Sequence, residues 1–421
     1  MSLYIAMKTL QILVLIIIGA ASSSSNKLRF DNYRVYSVNV RTEEQLRVLQ
    51  NLEATPNEFI FLDAPLAKNS AIQIVVSPAK QRKFDLLSVE LKFDPVLISS
   101  DLQSAIDNEQ PKRARRTSFG WEDYHTLDEI YAWLDELVIQ HDDVLSVEAI
   151  GRSYEQRELK VIKLSYKEGN PGIFIDTNIH AREWITSATV TWILNELLTS
   201  EEPAVRDLAE NYDWYIVPVA NPDGFVYTHT VNRLWRKTRY PYSVLCQGAD
   251  PNRNFDFQWS NGGTSDNPCS DVYAGKHPES EIEVKTISNY VRSIADKLNL
   301  YLAVHSRGQY VLVPFGYSAA PYPPNYKDLM QIGKRAAVDM YKVHKTPYRV
   351  GTTADVLYVA SGISVDWAYG AANISLAYTF ELRDQVEYGF ILPADQIIPN
   401  AEEVLAAFVG MIDEARVLGY F

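Results

Sequence analysis

His180, Glu183, His305 and Glu381 are the residues of this chain whose types can do chemistry together. The first two stand in Asp176-Thr-Asn-Ile-His180-Ala-Arg-Glu183-Trp184, the third in Ala303-Val-His305-Ser306, and the fourth in Tyr378-Thr-Phe-Glu381-Leu-Arg-Asp384. Two imidazoles and a carboxylate suit a borderline-soft divalent ion such as zinc, one per chain, and leave a coordination position open for water. A second carboxylate can then take that water's proton, which is the chemistry of a hydrolase. A lone His-x-x-Glu carries little weight, because most such pairs sit on surfaces or in satisfied cores. For Glu381, flanked by Tyr378 and Phe380, the competing assignment is a buried partner for Arg383.

Elements must bring these positions together. Apolar spacing predicts strands at 173–176, 300–304 and 376–381, so each candidate residue ends or follows a strand. That is where reactive groups gather in open α/β sheets. Further strands are expected at 146–150, 159–164 and 214–220, and helices at 184–198, 279–298, 327–344 and after Asn400. Thr126-Leu-Asp-Glu129 is a capping box that opens another helix. This alternation predicts an α/β domain over 117–421, a mixed, largely parallel sheet covered by helices on both faces.

Residues 26–110 follow another order: strand, helix, strand, strand, helix, strand. Strands are expected at 33–40, 58–62 and 71–76, and Thr42-Glu-Glu-Gln45 caps the first helix, a pattern that suits a small α+β open sandwich. Between the two domains lies 111–116, Pro111-Lys-Arg-Ala-Arg-Arg116. An exposed basic linker at a domain boundary is where a trypsin-like protease would cut, near Arg115 or Arg116; the plainer alternative is a solvated charged tether.

Lys8 and the apolar run from Leu10 to Ile18, followed by Gly19, Ala20 and Ala21, read as a secretory signal over 1–22. The run is shorter than the roughly 20 residues a membrane span needs. An extracellular protein without a membrane anchor is therefore expected. The formal charge of -13 over 421 residues argues against a nucleic-acid partner. In a secreted chain the two cysteines, Cys246 and Cys269, are most simply one disulfide, worth on the order of 3 kcal/mol in the chain-entropy picture. Two free buried thiols are the alternative. Asn373-Ile-Ser375 is a glycosylation sequon, which its closeness to Glu381 in sequence argues against using.

Together with Asn221-Pro-Asp-Gly-Phe225, Asn232-Arg-Leu-Trp-Arg236-Lys237, Asp250-Pro-Asn252-Arg253-Asn254 and Phe380-Glu-Leu-Arg-Asp384, the four residues make the chain resemble the zinc metallocarboxypeptidases of the pancreatic A/B type, from about residue 30 to the C-terminus. Carboxypeptidase A is itself the known instance of a two-histidine, one-glutamate zinc site, so that ligand set is taken over with the resemblance and not deduced independently. The resemblance implies a monomeric digestive zymogen, in which the N-terminal sandwich shields the cleft and the freed enzyme acts on peptide or protein C-termini.

It further implies that Arg253 and Asn252 clamp the terminal carboxylate, Arg236 meets the oxyanion, and Arg182 and Ser306 line the groove. Tyr358 would fold over substrate; without the resemblance it would read as a core aromatic. Val365 would sit at the base of the specificity pocket, where a carboxylate would select Lys or Arg. Valine there implies aliphatic or aromatic termini, although Asp366 and Asp355 lie close enough in sequence to leave basic termini open. Two residues depart from the family pattern: Arg307 replaces a usual aromatic, suggesting an acidic penultimate residue, and Ile363 replaces a usual glycine, narrowing the pocket. A catalytically silent binding homologue and an acyl-amino-acid hydrolase on the same scaffold are the rival readings.

Overall fold

The computed structural model describes residues 27–109 and 119–421. The expected signal sequence and the basic segment containing Arg115 and Arg116 lie outside the described residues.

In the N-terminal part, β1 (Arg34–Val40), β2 (Ile60–Phe61), β3 (Ser70–Val76) and β4 (Val96–Ser99) form an antiparallel sheet in the order β2-β3-β1-β4. The expected capping box is present: Thr42 accepts from the Gln45 amide, and the Gln45 side chain accepts from the Thr42 N–H. Alternation along the strands gives the sheet two apolar faces. Tyr36, Val38, Ile72 and Ile74 pack on Leu49 and Phe84 from the helices Glu43–Glu53 and Gln81–Glu90. On the opposite face Val35 and Val75, with Phe30, Leu62 and Leu102, meet Leu234, Phe390 and Ile391 of the second part. The strand expected at 58–62 shrinks to two paired residues because Asn57 is left-handed (φ 59°) before it, and past Phe61 the chain turns onto the neighbouring domain.

The second part is built on β5 (Leu145–Arg152), β6 (Glu158–Leu164), β7 (Gly172–Thr177), β8 (Asp213–Val217), β9 (Leu298–Ser306), β10 (Tyr310–Val313), β11 (Arg349–Thr352) and β12 (Leu376–Leu382), in the order β11-β10-β12-β9-β7-β8-β6-β5. The central run β12-β9-β7-β8 is parallel, and β5, β6 and β10 add antiparallel pairings. Both faces are covered, as the alternation implied. Ile173, Ile175, Leu300 and Leu302 face the helices Leu127–Gln140, Trp184–Thr199, Tyr326–His344 and Ile397–Val417, while Phe174, Tyr301 and Ala303 face Ile282–Ile294 and Ser364–Gly370. β8 ends at Val217 and not at 220, since Pro218 has no N–H to continue the ladder. The helix expected from 279 begins at Ile282, because Glu279 is left-handed (φ 54°) and its N–H is held by the Asn254 carbonyl at 2.7 Å.

Cys246 and Cys269 form a disulfide with Cα atoms 4.7 Å apart. Asn373 is exposed before the start of β12, with Glu381 at that strand's other end, so sequence proximity to Glu381 is no obstacle to modifying it. Among the described residues no helix is long and apolar enough to cross a membrane.

Candidate active site

The turn after β7 is fixed by Asn178, whose left-handed backbone (φ 49°) asparagine tolerates well. Its side-chain amide donates to the Glu183 carbonyl at 3.0 Å and its oxygen accepts from the Ser187 N–H at 3.2 Å. His180 is thereby placed in the turn, and Glu183 becomes the N-cap residue of the helix Trp184–Thr199. His305 lies near the end of β9, in register with Glu381 on the parallel neighbour β12, so the two side chains emerge side by side on one face.

The ligand atoms of His180, Glu183 and His305 lie within 4.8 Å of one another, and all three residues are buried. His180 Nδ1 is 2.9 Å from Glu183 Oε1, His305 Nδ1 is 3.3 Å from Glu183 Oε2, and the two Nδ1 atoms are 3.1 Å apart. Two ring nitrogens and a carboxylate pointed at a common centre form a donor set that fits zinc. Behind it, His180 Nε2 meets Asp250 Oδ1 at 3.0 Å, the carboxylate support that fixes the tautomer of a metal-binding histidine. Asp250 also holds Arg236 Nη2 at 2.8 Å and accepts the Asn252 N–H at 2.9 Å.

The two glutamates of the centre are driven apart electrostatically. Burial alone would raise the Glu183 carboxyl, but His180 and His305 beside it outweigh that and hold it well below the usual range. Burial pushes Glu381 up to about 8; His305 pulls against this, and the charge on Glu183 adds to it.

The other expected residues are arranged around one cleft of about 560 Å³, lined by His180, Glu183, Arg182, Arg236, Asn252, Arg253, Ser306, Tyr358 and Glu381. Arg236 is 3.7 Å from Glu183 Oε1. Arg253 is fixed by the Gly263 and Asn252 carbonyls at 3.0 and 2.7 Å, and its guanidinium lies 6.0 Å from the Tyr358 ring. The Asn252 side-chain oxygen accepts the Ser364 N–H at 2.8 Å, and the Ser306 N–H donates to Glu183 at 3.2 Å. Leu312, Val356, Leu357, Ala360 and Ile363 supply apolar wall.

Val365 is buried behind that wall, packed with Ala360 and Ile363, and does not itself line the cleft; Ile363 does. Asp366 points away: it accepts the Gly316 and Tyr317 N–H groups at 2.9 and 3.0 Å, and burial raises its carboxyl to about 7. Asp355 is exposed and pairs with the Tyr322 hydroxyl. Arg383, the competing partner for Glu381, is engaged with Glu403 and Gln396 instead.

The N-terminal sandwich roofs this cleft, with Leu62, Asp63 and Ile72 among the lining residues. Arg182 donates to the Leu62 carbonyl at 2.8 Å, and Arg307 binds Asp63 at 2.9 and 3.0 Å. Asp250 and these roof contacts were missed by sequence reasoning. The Asp250-Pro-Asn252-Arg253 run carried a signal for the former; nothing local signalled Asp63.

Residues 130–407 match the family described as Zinc carboxypeptidase, and residues 36–109 match Carboxypeptidase activation peptide. Zinc carboxypeptidase A 1 of Anopheles gambiae is 42% identical over 415 residues, 97% of this chain and 95% of its own length. Carboxypeptidase B of Astacus astacus is 46% identical over 287 residues, 67% of this chain and 94% of its own. The crystal structure of carboxypeptidase A from Helicoverpa armigera superimposes with a TM-score of 0.81 at 28% identity, over 93% of this chain and 99% of that one. Matched along both its halves, the chain belongs to the zinc carboxypeptidase family and carries the family's activation peptide ahead of its catalytic domain.

Proposed function

We propose that this zymogen is secreted into a digestive lumen, is cut by a trypsin-like protease near Arg115 or Arg116, and then removes aliphatic or aromatic residues from peptide C-termini as a monomer. The observation that carries the reading is the one cleft lined by His180, Glu183, Glu381, Arg236 and Arg253, beside an apolar wall behind which the Asp366 carboxylate is committed to backbone amides. A substrate lysine or arginine would find no partner there, and a buried uncompensated cation is costly.

His180, Glu183 and His305 would hold zinc, which when bound would supply Lewis acidity toward water and a carbonyl oxygen. Arg253 and Asn252 hold the terminal carboxylate by charge-assisted hydrogen bonds and so set which peptide bond is presented. Glu381 takes a proton from the attacking water as its oxygen bonds to the carbonyl carbon. It returns that proton to the leaving nitrogen as the C–N bond breaks. Arg236 donates to the oxygen on which negative charge develops, a contact worth on the order of 10²- to 10³-fold in rate. Tyr358 closes over the bound residue and excludes water.

The test is hydrolysis of blocked dipeptides ending in Phe and in Arg, before and after limited trypsin treatment, with and without a zinc chelator. Release of Phe only after trypsin, abolished by chelator, is the expected result. Release of Arg instead would assign specificity for basic C-terminal residues. Release of neither would favour the silent homologue or the acyl-amino-acid hydrolase.

A further inference from the structure

Arg307 follows Ser306 at the end of β9 and lines the same cleft as Glu381. Its side chain is 7% exposed. Nη1 donates to the Gln385 carbonyl at 2.8 Å, and the guanidinium lies 5.0 Å from the Phe390 ring centroid. Its other partners come from the activation peptide: Asp63 at 2.9 and 3.0 Å and the Gln73 side-chain oxygen at 3.1 Å. Arg307 Nε is buried without a hydrogen-bond partner.

Arg182 completes the arrangement. It rests on the same Phe390 ring at 4.3 Å and donates to the Leu62 carbonyl. Consecutive residues of the activation peptide thus give a main-chain carbonyl to one arginine and a side-chain carboxylate to the next. An extended peptide bearing an acidic side chain would be held in the same way. When the activation peptide leaves, Arg307 loses Asp63, its ion-pair partner among the described residues, and keeps the Gln385 carbonyl and Phe390. A guanidinium cannot shed its charge, so the freed cleft presents a fixed cation beside the catalytic centre.

We propose that Arg307, with Arg182 and Phe390, forms an acid-selective subsite for the substrate residues on the amino side of the scissile bond, and that Asp63 fills it in the zymogen. The proposal rests on the carboxypeptidase reading of the cleft and specifies which peptides that cleft prefers. It assigns Arg307 to substrate selection and gives it no part in bond cleavage.

The experiment uses the trypsin-activated enzyme and blocked tripeptides ending in Phe, with Glu, Ala or Lys placed in turn at each of the two residues preceding it. At one of the two positions kcat/KM is expected to run Glu above Ala above Lys, with Glu over Ala on the order of tenfold, the worth of a hydrogen-bonded charge pair. The Glu advantage shrinks at high salt, and Arg307→Gln brings the three rates together. Equal rates for Glu, Ala and Lys at both positions overturn the subsite while leaving the carboxypeptidase reading intact. An Arg307→Gln enzyme that keeps the wild-type ratio overturns it too. No Phe release from any peptide overturns the proposed function and the subsite with it. The salt and side-chain comparisons on the unaltered enzyme keep the test decisive if the variant does not fold.

Discussion

The floor and the roof of the cleft are made of similar groups bound in different ways. On the floor, His180, Glu183, Asp250 and Arg236 satisfy one another within the catalytic domain, each held by at least two of the others or by a nearby amide. The roof reaches that domain through an apolar seam on Leu234, Phe390 and Ile391 and through scattered ionic or carbonyl contacts: Leu62 to Arg182, Asp63 to Arg307, Glu53 to the 270–271 segment, and Glu109 to Arg233. The difference teaches that the floor groups are held by partners from their own domain, while the cover adds Leu62, Asp63 and Ile72 to the lining of the cleft.

The sharpest way to break this comparison is on the floor. Glu381→Gln is expected to lower kcat about 10²- to 10⁴-fold with zinc content unchanged by elemental analysis, because amide nitrogen cannot take the proton. Loss of zinc along with activity would mean that Glu381 belongs to the metal-holding set.

Next is a fully buried pair between roof and floor. Arg233 donates to Glu109 at 2.8 Å and to the Phe390 carbonyl at 2.7 Å, and its guanidinium stacks on Trp184 at 3.7 Å. Both side chains are almost inaccessible, at 1% and 2% exposure. Glu109→Gln leaves a buried cation uncompensated and is expected to cost about 3–5 kcal/mol in the uncut chain. A lowered melting temperature and activity leaking from the zymogen would show it; wild-type values for both would place the roof's main hold elsewhere.

Asp250→Asn acts between floor and support. Loss of the carboxylate that holds His180 Nε2 is expected to weaken zinc retention about 10- to 100-fold in a chelator titration, with the fold intact.

The smallest effect concerns pH. Burial and the neighbouring Asp271 push the Glu53 carboxyl up to about 7, opposed by Lys237, the Ser270 hydroxyl and the Asp271 N–H. Raised above its ordinary value near 4.5, the group favours the docked state when protonated, so its contribution is full in acid and is lost as pH rises through about 7. Cleaved activation peptide added back should therefore inhibit more tightly at low pH than at high pH. The difference is about tenfold, discounted for the solvent Glu53 still meets. Glu53→Gln should flatten the profile, and an unchanged profile would acquit this residue.

Much of the fold of both parts was legible because its signals are local: a capping box at Thr42 in the roof and one at Thr126 in the floor, and strands ending near each candidate residue. The rest depends on distance along the chain. Asp250 supports His180 from 70 residues away, and Asp63 meets Arg307 across 244. β10 and β11 have four residues each, too few for a period to emerge, and their pairing fixes the sheet edge beside Glu381. The orientation of Asp366 was hidden because its partners, Gly316 and Tyr317, are backbone groups 50 and 49 positions earlier that no side-chain pattern announces.

The disulfide between Cys246 and Cys269 brackets a stretch of chain that contains Asp250, Asn252 and Arg253, and immediately beyond it the Ser270 hydroxyl and the Asp271 N–H donate to Glu53. Lys237, next to Arg236, ties down the far side through the Pro268 and Ser270 carbonyls at 2.7 and 2.9 Å. Latency and turnover thus share one covalent fastening. A thiol reductant strong enough to open it would loosen the segment that carries Asn252 and Arg253 and the seat of the activation peptide in the same event.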